Sequence, residues 1–307
     1  MENINGFAVY GPTGSGKTSI LRAFIYAASN FPGQHSDDLM DIELKLGTQE
    51  ENMTIVRVND CFLDTVKATE YATAELFELA RVPRDRSDMR QMLSEFRHTG
   101  RMQDDKGANY DGMAQRTGDE ESIVSVQKAL DLAVGIVVVL DPLLVENGLM
   151  SRARYVTMVA ALGGLSENPR GIKRRIAICV TKIDQLSDHS GFTAREYIDI
   201  KFHGMGDAIK RLEGRFDVNC FKVSNFGYLS NGRPNCVEVE ENGKRIVTYI
   251  DKDSWRPHNV TQPFYWIFER IEQDLLLQMA KQRSRLIRWW EPTSEVLKKY
   301  IPYTNHA

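Results

Sequence analysis

The sequence has no hydrophobic run long enough to cross a membrane, and it has little net charge. Its longest apolar stretch lies around Ile136–Leu140, whereas a transmembrane helix needs about 20 apolar residues. A net charge of −3 over 307 residues gives no positive field of the kind that attracts bulk nucleic acid. The first residues, MENINGFAVYG, show no basic segment followed by an apolar one, so no signal peptide is predicted. We therefore expect a cytoplasmic protein without a nucleic-acid partner.

Cysteine is also scarce, and its spacing argues against a metal-binding cluster. The chain has four cysteines, with no CxxC pair and no cluster with histidine. Cys61, Cys179 and Cys220 lie in apolar runs, and Cys236 lies in a segment predicted to be a hairpin. We expect free thiols in a reducing compartment rather than disulfides or a zinc site.

The first pattern that is present lies near the amino terminus. The apolar segment Phe7–Tyr10 predicts a buried strand, and residues 19–30 predict a helix. Between them the spacing Gly11-x-x-x-x-Gly16-Lys17-Thr18 is that of a P-loop. Such a loop points successive backbone N–H groups at phosphate oxygens, next to a helix N-terminus. We expect Lys17 to neutralise the outer phosphates of a nucleoside triphosphate and the Thr18 hydroxyl to hold Mg²⁺.

The predicted nucleotide-contacting residues of this loop are Gly11, Thr13, Gly14, Ser15, Gly16, Lys17, Thr18 and Ser19.

Strands and helices are predicted to alternate through the centre of the chain. The predicted strands are residues 135–141, 175–180 and 218–223, and the predicted helices are residues 152–162 and 194–212. This alternation predicts an α/β fold, a doubly wound and mostly parallel sheet with helices on both faces. An earlier hairpin, with strands at Asp41–Leu46 and Thr54–Val58, is predicted to add an antiparallel strand.

Two regions fall outside the alternation. Residues 67–122 are polar, show no strand pattern, and predict a long Arg-rich insert that faces a partner. Beyond residue 230, CVEVEENGKRIVTYI predicts a β-hairpin that turns at Asn242-Gly243, and Pro263 opens a predicted long helix. We expect a domain over residues 1–230, with residues 231–307 packed on it. The basic, aromatic end of the helix is compatible with a membrane surface, but packing on the sheet is the simpler expectation.

A second motif follows the strand at residues 175–180. Thr181-Lys182-Ile183-Asp184 resembles the base-recognition motif [N/T]-K-x-D of P-loop GTPases, and it lies at the strand end where α/β sheets bind ligands. A carboxylate accepts hydrogen bonds from both N1–H and the exocyclic amine of guanine, a pair of donors that adenine lacks. Ser224 and Asn225 follow the last strand, where these GTPases carry a short motif that meets guanine O6.

This resemblance, which covers about residues 7–225, is to the translation-factor-related GTPase superfamily. It implies binding of GTP or GDP with Mg²⁺, hydrolysis of GTP and signalling to a protein partner. It also implies that Lys182 lies over the base and that Thr181 ties its loop to the P-loop. The segment WRPHNVTQPFYWIFERI is similar to the closing stretch of bacterial double-GTPase families, which are linked to conflict and effector-delivery systems.

The switch motifs of the family are less regular in this sequence. The family's D-x-x-G motif is expected at the end of the hairpin's second strand, where its aspartate holds Mg²⁺ through water. Asp64 is the predicted aspartate, with Lys67 in place of the glycine. Ala68 stands where a water-orienting glutamine is usual, so hydrolysis needs another group or a partner. The alternatives for this motif are Asp60 and Asp111-Gly112, and the candidates for the switch I hydroxyl are Ser36 and Thr48.

Two other functions remain open from the sequence. In an ATPase, IVVVLDP would be the metal-binding strand and Asp141 the metal ligand, although Pro142 replaces the usual catalytic glutamate. A GTP-binding scaffold without turnover is the second alternative, because the D-x-x-G motif is irregular. A P-loop kinase would leave the Thr181–Asp184 motif unexplained.

Overall fold

The protein is built around a seven-stranded sheet. The computed structural model describes residues 6–12, 14–30, 40–47, 73–83, 97–104, 130–131, 133–166, 173–186, 191–241 and 244–267. The strands are β1 (Gly6–Tyr10), β2 (Met40–Gly47), β3 (Thr73–Pro83), β4 (Arg97–Asp104), β5 (Ala133–Leu140), β6 (Arg175–Val180) and β7 (Asp217–Lys222). Their order in the sheet is β2-β3-β4-β1-β5-β6-β7. A separate two-stranded sheet contains β8 (Cys236–Glu241) and β9 (Lys244–Tyr249).

The sheet is mostly parallel. Strands β4, β1, β5, β6 and β7 pair in parallel, whereas β3 is antiparallel to both of its neighbours. The helices are α1 (Lys17–Asn30), α2 (Pro142–Glu146), α3 (Arg152–Ala161), α4 (Ala194–Lys201) and α5 (Met205–Glu213). Every residue of β6 is buried, as expected for a strand covered by helices on both faces. The predicted doubly wound α/β fold is confirmed.

Each face of the sheet carries its own core cluster. On one face, side chains such as Val138 and Ile178 pack with α3, α4 and α5. On the other, Val137 and Val139 pack with α1 and with residues 255–267. Phe24 of α1 stacks on Phe264 with ring centroids 4.1 Å apart. The end of the described chain therefore covers the same face of the sheet as the helix that follows the P-loop.

The helix predicted over residues 194–212 is two helices. α4 begins with a capping box in which Thr193 and Glu196 each accept a hydrogen bond from the other's backbone N–H. The break comes at Gly204, whose φ of 87° places it in the left-handed region that helices do not contain. The remaining central predictions agree with β5, α3, β6 and β7 within two residues.

The prediction that residues 67–122 contain no strand is wrong. β3 and β4 both lie in this segment, and β2 pairs along its length with β3. The proposed partner of β2, residues 54–58, lies outside the described residues. In β3, Leu76, Phe77, Leu79 and Ala80 are spaced as on a helix, so the period of two that marks a strand is missing. Part of the predicted insert is thus an integral part of the sheet.

The predicted carboxyl-terminal hairpin is present as β8 and β9, which pair in register from Cys236↔Tyr249 to Glu241↔Lys244. The predicted turn at Asn242-Gly243 lies outside the described residues. Residues 262–267 are helical, which agrees with the start of the predicted last helix. Among the helices of the described part, none has the length and apolar character that a membrane crossing needs.

Candidate functional site

The loop between β1 and α1 contains two glycines with a left-handed backbone. Gly14 and Gly16 have φ values of 79° and 93°, a region that residues with a side chain rarely adopt. Gly11 is closely packed, because a Cβ there would lie 2.9 Å from the Val139 carbonyl oxygen of β5. Gly14 is exposed, and a Cβ there would meet no atom closer than 4.0 Å. The loop is therefore packed against β5 at Gly11 and exposed to solvent at Gly14.

Lys17 lies at the start of α1 and turns back over the loop. Its side chain is only 6% exposed, and its Nζ donates a hydrogen bond to the Pro12 carbonyl oxygen at 3.2 Å. The Ser15 hydroxyl donates to the same oxygen at 2.9 Å. The ammonium group is thus held over the loop, where the phosphates of a bound nucleotide would lie. Thr18 and Ser19 follow in the first turn of α1, and Ser19 is half-buried.

The second motif lies directly beside this loop. Thr181 follows β6 and is fully buried, and its hydroxyl donates to the Ser15 carbonyl oxygen at 3.1 Å. Its backbone N–H donates to the Leu140 carbonyl oxygen at 2.9 Å. The hydroxyl therefore joins two segments that are 166 residues apart in the chain.

Lys182 has an unusual backbone and an ionic partner. Its φ of 57° places it in the left-handed region, which is costly for a residue with a side chain and is found at functional sites. Its Nζ lies 2.6 Å from Oδ2 of Asp141, which is completely buried. The other Asp141 oxygen, Oδ1, accepts a hydrogen bond from the Leu143 N–H at 2.9 Å and caps α2. Burial raises the pKa of Asp141, and the Lys182 charge opposes this shift.

Asp184 is a buried carboxylate that is only partly satisfied. It is 6% exposed, and no donor among the described residues reaches its Oδ1. Burial raises its pKa, while hydrogen bonds from Ser224, Cys236 and Gln185 lower it. A buried carboxylate oxygen without a donor costs folding free energy, and this oxygen is able to accept a hydrogen bond from a ligand or a water molecule.

Ser224 and Asn225 close the site from the end of β7. Ser224 is fully buried and exchanges two backbone hydrogen bonds with His258, at 3.0 and 2.9 Å. Asn225 is 7% exposed, and its Oδ1 is a second buried oxygen without a partner in the described part of the chain. Its amide nitrogen faces Gly16, because a Cβ at Gly16 would lie 3.3 Å from it. The structure thus brings together the P-loop, the Thr181–Asp184 motif and the residues after β7.

The carboxyl-terminal segment adds residues that the sequence did not indicate. The Trp255 indole N–H donates to the Asn225 carbonyl oxygen at 2.7 Å, and its ring stacks on Tyr26 of α1 with centroids 4.0 Å apart. The Cys236 thiol lies 3.6 Å from Oδ2 of Asp184. Tyr228 also lies nearby, since burial and the Asp184 charge raise its pKa. None of them had a role in the site predicted from the sequence, although Trp255 opens the segment WRPHNVTQPFYWIFERI, and their positions depend on long-range packing.

A second missed feature is the end of β4. β4 lies next to β1 and parallel to it, with Ala8 opposite Gln103. Its last residue, Asp104, therefore reaches the edge of the sheet where the P-loop begins. The sequence from this point, Asp104-Asp105-Lys106-Gly107, has the D-x-x-G spacing. The D-x-x-G spacing is the signal in the sequence that could have identified Asp104. The strand before it was not predicted, because the residues of β4 are mostly polar.

The remaining predicted site residues lie outside the described part of the structure. They are Thr13, Ser36, Thr48, Asp60, Asp64, Asp111 and Gly112, together with the side chain of Thr18. Within the described ranges, no group of three or more His, Cys, Asp or Glu residues is arranged to hold a metal ion. The described cysteines, Cys179, Cys220 and Cys236, are free thiols.

No family model matches the sequence, and no curated protein matches it. Structurally, the chain is similar to solved small GTPases. One is the Arl6 BBS3 small GTPase from Trypanosoma brucei with a bound nucleotide analogue, GppNp, at 13% identity and a TM-score of 0.37, over 91% of this chain and 99% of that one. Another is the signal recognition particle receptor complex SRb-GTP/SRX from Chaetomium thermophilum, at 12% identity and a TM-score of 0.43, over 74% and 93%.

A third is an ADP-ribosylation-factor-like GTP-binding protein, or small COPII coat GTPase SAR1, from Encephalitozoon cuniculi in complex with GDP. It is 12% identical, with a TM-score of 0.34, over 92% of this chain and 84% of that one. These identities and scores are low.

Proposed function

We propose that the protein binds GTP and GDP with Mg²⁺ and works as a GTPase switch. The observation that carries this proposal is the 3.1 Å hydrogen bond from the Thr181 hydroxyl to the Ser15 carbonyl oxygen. It joins the loop that carries Lys17 to the loop that carries the buried Asp184, and this contact supports one nucleotide site formed by both loops. Residues with matching chemistry therefore line one site from the phosphates to the base.

The phosphate end fits a nucleoside triphosphate. Left-handed Gly14 and Gly16 let the loop backbone curl around an anion, and the start of α1 adds its positive dipole. Lys17 brings one positive charge to the same place. Mg²⁺ would neutralise charge between the outer phosphates, and it keeps several water ligands, so one hydroxyl and one carboxylate suffice to hold it in the protein. We assign the hydroxyl to Thr18.

The base end fits guanine. Asp184 presents a buried Oδ1 without a donor, and Asn225 presents a buried Oδ1 that also lacks one. Guanine offers N1–H and an exocyclic amine, two donors that one carboxylate accepts together. Adenine would place a lone pair against Asp184, leaving a buried charge unpaired. Such mismatches cost about 1–3 kcal/mol or more for a charged group, enough for strong discrimination.

The position of Asp141 gives less support to the ATPase alternative than the base end gives to the GTPase proposal. Its two oxygens are engaged by the Leu143 N–H and the Lys182 ammonium group. To bind a metal ion, this carboxylate would have to give up a helix cap or an ion pair. We therefore favour a structural role for Asp141, as the residue that holds Lys182 beside the base.

We propose that Asp104, rather than Asp64, supplies the carboxylate of the D-x-x-G motif. β4 ends at Asp104 beside the P-loop strand, and Gly107 follows at the required spacing.

Ala108 then stands where a water-orienting glutamine is usual. Hydrolysis consequently needs a group from elsewhere, either an arginine of residues 67–122 or a protein partner. If no such group acts, the protein is the GTP-binding scaffold without turnover. Cytoplasmic location and a role in bacterial conflict systems stay predictions.

The decisive experiment is competition binding of GTP, ATP and xanthosine triphosphate to the wild type and to Asp184→Asn. Xanthine has a carbonyl where guanine has its amine, so an amide matches it better than a carboxylate does. We expect Asp184→Asn to lose GTP by about 100-fold or more and to gain the xanthine nucleotide. Asp207→Asn, the same change at an exposed residue of α5, is the control. A mutant that still prefers GTP would rule out the base site and, with it, the GTPase proposal.

A further inference from the structure

The carboxyl-terminal hairpin reaches the base end of the site through one side chain. Cys236, the first residue of β8, places its Sγ 3.6 Å from Oδ2 of Asp184. The second oxygen, Oδ1, is the buried atom that no donor among the described residues reaches. The thiol thus engages one oxygen of the carboxylate and leaves the other free for a ligand.

The position of Cys236 is fixed by its neighbour. Asn235 is completely buried, and its backbone N–H donates to the Gly227 carbonyl oxygen at 3.0 Å. Its side chain exchanges two hydrogen bonds with the backbone of Asp251, at 2.7 and 2.8 Å. These bonds tie the start of β8 to the loop after β7 and to the segment after β9. Cys236 therefore has little freedom to move away from Asp184.

The thiol acts as a hydrogen-bond donor and not as a nucleophile. Burial and the negative charge of Asp184 raise the pKa of Cys236 to about 12, although the Lys182 charge opposes the shift. A thiol with this pKa stays protonated at neutral pH and reacts slowly with oxidants and electrophiles. An S–H group is a weak donor, but an ionised acceptor strengthens the bond.

We propose that Cys236 is a positioning residue for base recognition: its thiol holds the Asp184 carboxylate so that Oδ1 faces the guanine N–H groups. Through this contact the hairpin, and not only the Thr181–Asp184 loop, sets the preference for guanine. The inference rests on the proposed function, because Asp184 must read the base. It adds a residue from a part of the chain 52 positions away from Asp184.

The test compares variants of Cys236 in the full-length chain. Cys236→Val keeps a similar volume but has no donor, and Cys236→Ser keeps a donor. Cys220→Val is the control. It makes the same change in β7, where Cys220 packs against the core cluster that contains Val138 and Ile178. The measured quantity is the ratio of the ATP and GTP dissociation constants. We expect Cys236→Val to lower this ratio about five- to tenfold, Cys236→Ser to retain most of it, and Cys220→Val to leave it unchanged.

A second readout separates positioning from a general loosening of the hairpin. Protonation of Asp184 removes an acceptor, so the preference for GTP falls as the pH falls through the pKa of Asp184. The Cys236 hydrogen bond lowers that pKa. Removing the donor therefore raises it, and the preference should be lost at a higher pH in Cys236→Val than in the wild type. The ionisable groups that face Asp184 or the thiol from the described elements are Tyr228 and Lys182, and both are retained in these variants.

The possible outcomes distinguish this inference from the proposed function. If Asp184→Asn loses the preference for GTP but Cys236→Val keeps both the wild-type ratio and the wild-type pH midpoint, the role of Cys236 is disproved and the base site stands. If the wild type shows no preference for GTP, both proposals fail. Should Cys236→Val not melt cooperatively, Cys236→Ala is the second donor-free variant and carries the same expectations.

Discussion

The two ends of the candidate site are built in different ways. The proposed phosphate end lies on one stretch of the chain, of which residues 11–12 and 14–17 are described, and depends mainly on backbone conformation and a helix N-terminus. The base end is assembled from separate segments, the loop after β6, the loop after β7, and the residues around β8 and β9, which are linked by side chains. A local site needs few long-range contacts to form, whereas a dispersed site forms only when the whole fold is in place.

This difference means that the two ends should respond differently to substitution. Changes in the phosphate end should weaken all triphosphates equally, because every nucleotide carries the same phosphates. Changes in the base end should alter the choice between nucleotides or the stability of the fold. The following predictions test that separation, from the largest expected effect to the smallest.

Lys17→Ala should weaken GTP and ATP alike by about 100-fold or more, because a charge-assisted contact to the phosphates is lost. Isothermal titration calorimetry with both nucleotides measures this effect. Lys210→Ala, which removes the same charge from the exposed face of α5, is the control and should bind normally. A selective loss of GTP alone would contradict a purely phosphate role for Lys17.

Gly227→Ala should lower the free energy of unfolding by about 2 kcal/mol or more. Gly227 has a φ of 74°, and a Cβ there would overlap the Arg256 carbonyl oxygen. An alanine at this position would therefore push the loop after β7 away from the carboxyl-terminal segment. Gly232 has a similar φ of 78° with open space around it, so Gly232→Ala should cost only about 1 kcal/mol. Urea unfolding of both variants gives the comparison. Equal losses would show that the close approach at Gly227 does not matter.

Thr181 lies in the loop after β6 but bonds the backbone of the phosphate end, so it is an exception to this separation. Thr181→Val should weaken GTP and ATP binding to a similar, smaller extent, about tenfold, because the buried Ser15 carbonyl oxygen loses this donor. Valine keeps the shape of threonine, so the core should stay filled. Thr157→Val removes an exposed hydroxyl that bonds within α3 and should change neither affinity. Unchanged binding by Thr181→Val would show that the link between the two ends is dispensable.

The sequence predicted the parallel core well, and it predicted that the two motifs follow β1 and β6. β5, β6 and β7 are apolar runs bounded by turns, and the P-loop glycines mark positions that need a left-handed backbone. It did not predict β3 and β4, because their residues lack the alternation of a half-buried strand and their conformation depends on pairing with neighbours. Because β4 was not predicted, Asp104 was not predicted as a site residue, although its D-x-x-G spacing is visible in the sequence.

The amino-acid sequence by itself determined the loop between β1 and α1, because two glycines with a left-handed backbone and a strand–helix junction act over a few neighbouring residues. It also determined that a carboxylate would follow β6. Only the tertiary structure decided which residues surround that carboxylate. Cys236 contacts Asp184 itself, whereas Trp255 and Asp141, also distant in the chain, contact its neighbours Asn225 and Lys182. Local backbone preferences can be read from neighbouring residues, whereas a burial-dependent hydrogen bond exists only after long-range packing has excluded water from both partners.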